Sequence, residues 1–208
     1  MYLGTIVRSN SHIDYVCRVD GVGEVVEGLA AADYGFGTFV RILLGSEPAR
    51  WLVGLVYDTV LLNPDVGRLE PRLSAGSQLA AVSPDDLDGR ATLIGIIAIG
   101  TVDEAGHVTQ GVPVVAARID ARVERMMEEQ VRAFHGWSLA ARLTGKPLQL
   151  SYVPLLLAQA SPLVLPLVRH VLEQLKALMK GQAQIRMLDL LLDELSWQGQ
   201  VGVLGGSR

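Results

Sequence analysis

A phosphate-binding loop is the first chemical site to look for in this 208-residue chain. Such a loop needs glycines that let backbone amides approach phosphate, followed by lysine and a hydroxyl residue. Thr144-Gly145-Lys146 is the nearest match, but Ala140 replaces the leading glycine and Pro147 replaces the hydroxyl residue. Gly21-Val22-Gly23 lacks the strand–loop–helix setting of a dinucleotide site, so we interpret it as part of a tight turn. The sequence therefore predicts no nucleotide cofactor.

The sequence offers few candidates for a catalytic nucleophile or a metal site. Cys17 is the single cysteine, and its position in an alternating strand pattern predicts a buried structural thiol. His12, His107, His135 and His170 form no pair at metal-ligand spacing. His135 beside Gly136 predicts a helix end, where a partly positive side chain is favoured. A Gly-x-Ser-x-Gly elbow is absent from the sequence. We predict no catalytic residue, no cofactor and no metal ligand.

Acidic residues leave one enzymatic alternative open. A metal-dependent hydrolase would need carboxylates that converge from several strands. The residues that could supply them are Asp14, Asp20, Asp33 and Asp58. Only their relative positions in the fold can decide this alternative.

Arginines leave a second alternative, a DNA-binding accessory protein. Its contacts to phosphate would come from Arg41, Arg50, Arg68, Arg72 and Arg90. The chain carries a net charge of −4, which excludes a strongly basic protein that coats nucleic acid. We therefore favour the interpretation that these arginines pair with acids of the same half.

Composition divides the chain into two parts. Half of the residues are apolar and only 5% are aromatic, which predicts a packed aliphatic core. Residues 1–118 carry eight arginines against fourteen acids, a net of −6, and residues 119–208 carry ten bases against eight acids, a net of +2. We place a domain boundary there: residues 1–118 as a β-barrel domain and residues 119–208 as a helical region.

The first part has about seven short β-branched runs without intervening helices, which favours a small antiparallel barrel or sandwich. We prefer the barrel, because closure removes exposed strand edges. Residues 12–19 alternate, with Ile13, Tyr15 and Cys17 on one face. Further runs at 23–27, 38–44, 51–60, 92–102 and 114–117 are interpreted as strands. Residues 63–88, rich in proline and small polar residues, predict a long excursion from the barrel. The fold class is α+β.

The second part predicts helices. Asp120 is expected to cap a helix that runs to Phe134, followed by helices over 161–180 and 184–197. Residues 147–168 carry no charge, but their four prolines predict two short helices rather than a membrane span. We expect this leucine-rich region to pack internally or against another chain. The candidate interaction surface comprises Leu155, Leu156, Leu163, Leu167, Leu188 and Leu192.

Four segments show a further pattern: Tyr2–Val7, Gly37–Ile42, Leu52–Tyr57 and Gly111–Ala116, the last leading toward a helix near Asp120. This succession resembles the HAS-barrel, the small amino-terminal barrel of HerA-type DNA translocases and of ATP synthase ring subunits. The resemblance covers about residues 1–125. In that family the barrel precedes an ATPase domain, helps to assemble a ring and docks partners such as a nuclease. No Walker motif follows here, so the resemblance implies oligomerisation or docking without ATP hydrolysis.

These observations favour a non-enzymatic assembly or adaptor protein. It would be cytoplasmic, since no secretory signal opens the sequence, and it would have no transmembrane segment. We expect a protein partner or self-association. Nucleic-acid binding in a HerA-like system and an acidic metal site remain the alternatives.

Overall fold

A computed structural model describes residues 1–20, 29–46, 48–62, 91–137, 147–179 and 181–205. The chain forms two compact units, Met1–Met126 and Met127–Arg208. The predicted strand at 23–27 and the predicted excursion at 63–88 lie outside the described residues.

The first unit is a closed six-stranded antiparallel barrel, as the sequence predicts. Its strands are β1 (Tyr2–Ser9), β2 (Asp14–Val19), β3 (Phe39–Ser46), β4 (Ala49–Leu62), β5 (Ala91–Asp103) and β7 (Arg122–Arg125). They pair in the order β1-β2-β5-β4-β3-β7, and β7 returns to β1. A short strand, β6 (Val108–Gln110), pairs with β5 outside this ring. Closure pairs the strands that would otherwise be edges of the sheet.

Aliphatic side chains fill the barrel, as the low aromatic content predicts. Tyr15 and Cys17 of β2 lie in the buried core, and Ile13 packs against it. This confirms the face predicted from alternation along residues 12–19. The same core contains Ile42 of β3 and Val123 of β7.

The Cys17 thiol is fully buried, and burial raises its pKa above the ordinary range. We expect it to resist a thiol reagent in the native protein and to react at once when the barrel unfolds, because only an accessible thiolate is nucleophilic. Modification followed by mass spectrometry measures this. The control is Cys17→Ala combined with Thr59→Cys, which moves the thiol to an exposed position. Equal rates for both proteins would contradict a buried role.

The predicted boundary at 118/119 and the predicted helix start at Asp120 are both wrong. Residues 122–125 form β7, which pairs with β1 and β3, so the barrel extends to Met126. The predicted strand at 114–117 is not regular structure. Local patterns misplace the boundary and the helix start because β7 is a four-residue strand, stabilised by pairing with two strands that are distant in sequence.

The second unit is helical. Its described residues contain α1 (Glu128–Phe134), α2 (Val153–Leu157), α3 (Val164–Leu178) and α4 (Gln182–Gly205). α3 packs against both α2 and α4. Gly136 follows α1 with a φ of 69°, so it ends this helix as predicted.

Prolines divide residues 147–168 as the sequence predicts. Pro154 occupies the first turn of α2, and α3 begins only at Val164. Within the described residues, no helix combines the length and the apolar character that crossing a membrane requires.

Candidate interaction surface

The four predicted acids have separate partners instead of forming one site. Asp14 Oδ1 accepts a 2.9 Å hydrogen bond from the Tyr57 hydroxyl. Asp33 accepts from the backbone N–H of Ala30 and forms an ion pair with Arg125 at 2.8 Å.

Asp58 accepts from the backbone N–H of Thr59. The partner of Asp20 is Tyr2. Burial, together with this hydrogen bond to Asp20, raises the pKa of the Tyr2 hydroxyl to about 12. In the part of the chain that the structure describes, no three His, Cys, Asp or Glu side chains come together in a way that could hold a metal ion. Asp14 and Asp58 both lie near Tyr57, but Asp20 and Asp33 do not complete a metal site with them among the described residues.

Arg41 is engaged within the barrel. Its Nε and Nη2 lie 2.8 and 2.6 Å from Oε2 of Glu124, the residue directly opposite on β7. Its guanidinium also lies 5.2 Å from the ring centroid of Trp51. Arg41 therefore pairs with an acid, but Glu124 belongs to residues 119–208, so the expected pairing within the same half of the sequence is wrong for Arg41.

Of the other four arginines of the DNA alternative, the structure describes one. Arg50 is exposed on β4. Arg68, Arg72 and Arg90 lie outside the described residues.

The prediction of an exposed interaction surface is wrong for three of its six leucines. Leu156, Leu167 and Leu188 are buried, with at most 1% of each exposed. Leu155 and Leu192 are half-buried, and Leu163 is 37% exposed. Apolar helix positions recur every three or four residues, and Leu156, Leu167 and Leu188 belong to the packed faces of α2, α3 and α4.

His135 is buried instead of presenting the partly positive side chain predicted for a helix end. Its Nδ1 lies 2.7 Å from the carbonyl oxygen of Val131, and its Nε2 lies 3.0 Å from the Tyr152 hydroxyl. A carbonyl oxygen only accepts, so Nδ1 carries the proton and Nε2 accepts from Tyr152. Burial lowers the pKa of His135 to about 4, so the imidazole is neutral at physiological pH.

Among the residues whose burial the structure describes, exposed apolar side chains concentrate in one segment of the barrel unit. We call residues 111–121, between β6 and β7, the strap. Val112, Val114, Val115 and Ile119 of the strap are 58%, 94%, 49% and 56% exposed. Four branched apolar side chains within eight positions are thus exposed to solvent.

Hydrogen bonds fix the strap at its centre. The buried Tyr15 hydroxyl accepts from the backbone N–H of Ala117 at 3.2 Å and donates to the carbonyl oxygen of His12 at 2.6 Å. The His12 imidazole Nε2 donates to the carbonyl oxygen of Pro113 at 2.7 Å.

The carboxyl end of the strap is joined to β1. Ile6 donates to the carbonyl oxygen of Ala121 and accepts from the N–H of Asp120. Ala117 and Ala121 pack against the barrel core, so the inward positions of the strap are already occupied. The valines and Ile119 therefore cannot turn inward without breaking these bonds.

A turn over residues 118–121 forms the carboxyl end of the strap, which we call its tip. The N–H of Ala121 donates to the carbonyl oxygen of Arg118 at 3.2 Å, which closes a turn with Ile119 and Asp120 at its centre. Asp120 has a φ of 63°, the sign that a type II turn requires at its third residue. The turn directs Arg118, Ile119 and Asp120 to the surface, where all three are exposed.

The sequence interpretation missed the strap because it assigned residues 114–117 to a strand. Two signals could have identified it. The run is apolar at consecutive positions without alternation, and a further short alternating run follows at 122–125.

Comparison with known proteins places the chain in a family. The family model described as "Domain of unknown function (DUF8166)" matches residues 1–204. Because this match spans nearly the entire sequence, the chain belongs to that family. No curated protein matches the chain.

Proposed function

We propose that this member of the family is a non-enzymatic assembly protein, whose barrel docks another protein chain through the strap. The observation that carries the proposal is the exposure of Val112, Val114, Val115 and Ile119 on a backbone fixed by hydrogen bonds. Exposed apolar side chains concentrated in one segment are typical of interaction sites on otherwise polar surfaces.

Fixation of the strap favours binding over burial within the unit. A flexible apolar loop would collapse onto the barrel and lose its exposed area. The bond from Ala117 to Tyr15 and the packing of Ala117 and Ala121 prevent that collapse. A surface that is already ordered also loses little conformational entropy when it binds.

The DNA-binding and metal-dependent hydrolase alternatives receive less support. Arg41 is committed to Glu124 and Trp51, which removes it from the set available to phosphates. Asp14, Asp33 and Asp58 are occupied by different partners. The resemblance of residues 1–125 to HAS barrels stays a prediction, and it agrees with a barrel that acts as a docking platform.

Site-specific photo-crosslinking in cells of the natural source tests the proposal. A photoreactive amino acid at Val114 is expected to form a crosslink to a protein chain. The same group at Thr59, which is exposed on β4, is the matched control and is expected to form none. Absence of any protein crosslink at Val114, or equal yields at both positions, would overturn the proposal.

A further inference from the structure

The tip of the strap carries two charges of opposite sign. Arg118 and Asp120 are both exposed, on either side of Ile119. Neither has an ion-pair partner among the residues that the structure describes. The tip therefore presents a cation, an apolar side chain and an anion in succession to solvent.

This arrangement is complementary to itself. When two copies of a surface meet across a twofold axis, residue i of one copy faces residue j of the other, and j faces i. With Ile119 near the axis, Arg118 of each copy can face Asp120 of the other. A single foreign partner would need to supply both charges in the correct order, whereas a second copy supplies them without further assumption.

The size of the apolar patch sets the expected strength. The four exposed side chains offer on the order of 400 Å² per copy, which is within the range of functional patches. Two copies would bury roughly 800 Å², less than the roughly 1,200 Å² at which stable interfaces begin. Association through this surface alone is therefore weak and depends on protein concentration.

We propose that the chain bound by the strap is a second copy of this protein, in a twofold arrangement with reciprocal Arg118–Asp120 pairs. This inference rests on the proposed function and adds the identity of the partner. The expected species is a weak dimer whose population rises with protein concentration.

Sedimentation equilibrium of the full chain over a wide concentration range measures the dimer. Val114→Asp is expected to weaken association at least about tenfold, because it places a charge in the apolar contact of both copies. Its side chain is almost fully exposed, so the fold is expected to tolerate the change. Protection of the Cys17 thiol checks that each variant retains the barrel.

A charge exchange tests the geometry. Arg118→Glu alone and Asp120→Lys alone each bring like charges together at both pairs, and each is expected to weaken the dimer about tenfold. An equimolar mixture of the two variants restores opposite charges at both pairs, so a heterodimer of near-original affinity is expected. Asp120→Asn, which tolerates the positive φ, separates loss of charge from backbone strain.

The results separate this inference from the proposed function. A protein that stays monomeric at the highest concentration, or a mixture that associates no better than either variant, overturns the twofold arrangement. If Val114 then crosslinks a different protein in cells, the docking function stands and only the identity of the partner is wrong. If Val114 crosslinks no protein at all, both proposals fall.

Discussion

Replacement of Gly4 by alanine is expected to unfold the barrel or to cost more than about 3 kcal/mol of stability. A Cβ at this position would lie 1.9 Å from the carbonyl oxygen of Arg18 and 3.1 Å from the Cα of Val19. Both atoms belong to the backbone of β2, which pairs with β1 at Gly4 and Val19. A backbone cannot move aside as a flexible side chain can, so β1 and β2 would have to separate.

Gly45→Ala is the matched control for this prediction. Gly45 also lies in a strand, β3, beside a register shift, but a Cβ there would meet nothing within 4 Å. We expect its free energy of unfolding, measured by urea denaturation, to stay within about 0.5 kcal/mol of that of the original protein. Equal stability of the Gly4 and Gly45 variants would show that β1 and β2 are less closely apposed than the structure indicates.

Acidification is expected to destabilise the helical unit through His135. Its pKa is lowered from 6.5 to about 4 by burial, so the folded protein resists protonation while the unfolded chain accepts a proton below 6.5. The unfolded state therefore binds more protons, and the free energy of unfolding falls as the pH falls from 6.5 to 4. At about 1.4 kcal/mol per pKa unit, the loss is on the order of 3 kcal/mol. Above 6.5 the contribution of this residue is complete and independent of pH.

Urea denaturation followed by helical circular dichroism, repeated across this pH range, measures the effect. His135→Gln, which does not titrate here, is expected to have a lower stability near neutral pH and a smaller loss on acidification. His170→Gln is the control, because the half-buried His170 lies on α3. If the original protein and His135→Gln lose the same free energy between 6.5 and 4, carboxylates are responsible and the assignment to His135 is wrong.

The barrel itself could be predicted from local sequence. Alternation along residues 12–19 places Tyr15 and Cys17 on one face, and both lie in the core. Period-two patterns encode the inward face of a strand because successive side chains point to opposite sides. The division of residues 147–168 into two helices was equally accessible, because a proline restricts its own φ and removes a backbone donor.

The exposed apolar surface of the strap could not be predicted from local sequence patterns. Leucine content suggested Leu156, Leu167 and Leu188, which are buried. The exposed apolar side chains are Val112, Val114, Val115 and Ile119, in a segment whose apolar run favoured a strand. Whether an apolar residue is covered depends on which distant elements pack against it, and composition carries no information on that.

The amino-acid sequence by itself determined the two-part organisation, which follows from composition along each half. It also determined the antiparallel strands, the buried thiol and the helix breaks, since each of these follows from neighbouring residues within a few positions. Only the tertiary structure decided that β7 closes the ring between β1 and β3 and that the barrel extends to Met126. It also decided that the Tyr15 hydroxyl fixes the strap with its valines facing water. These features depend on contacts between residues that are about 100 positions apart, such as Tyr15 and Ala117, and no local pattern specifies such contacts.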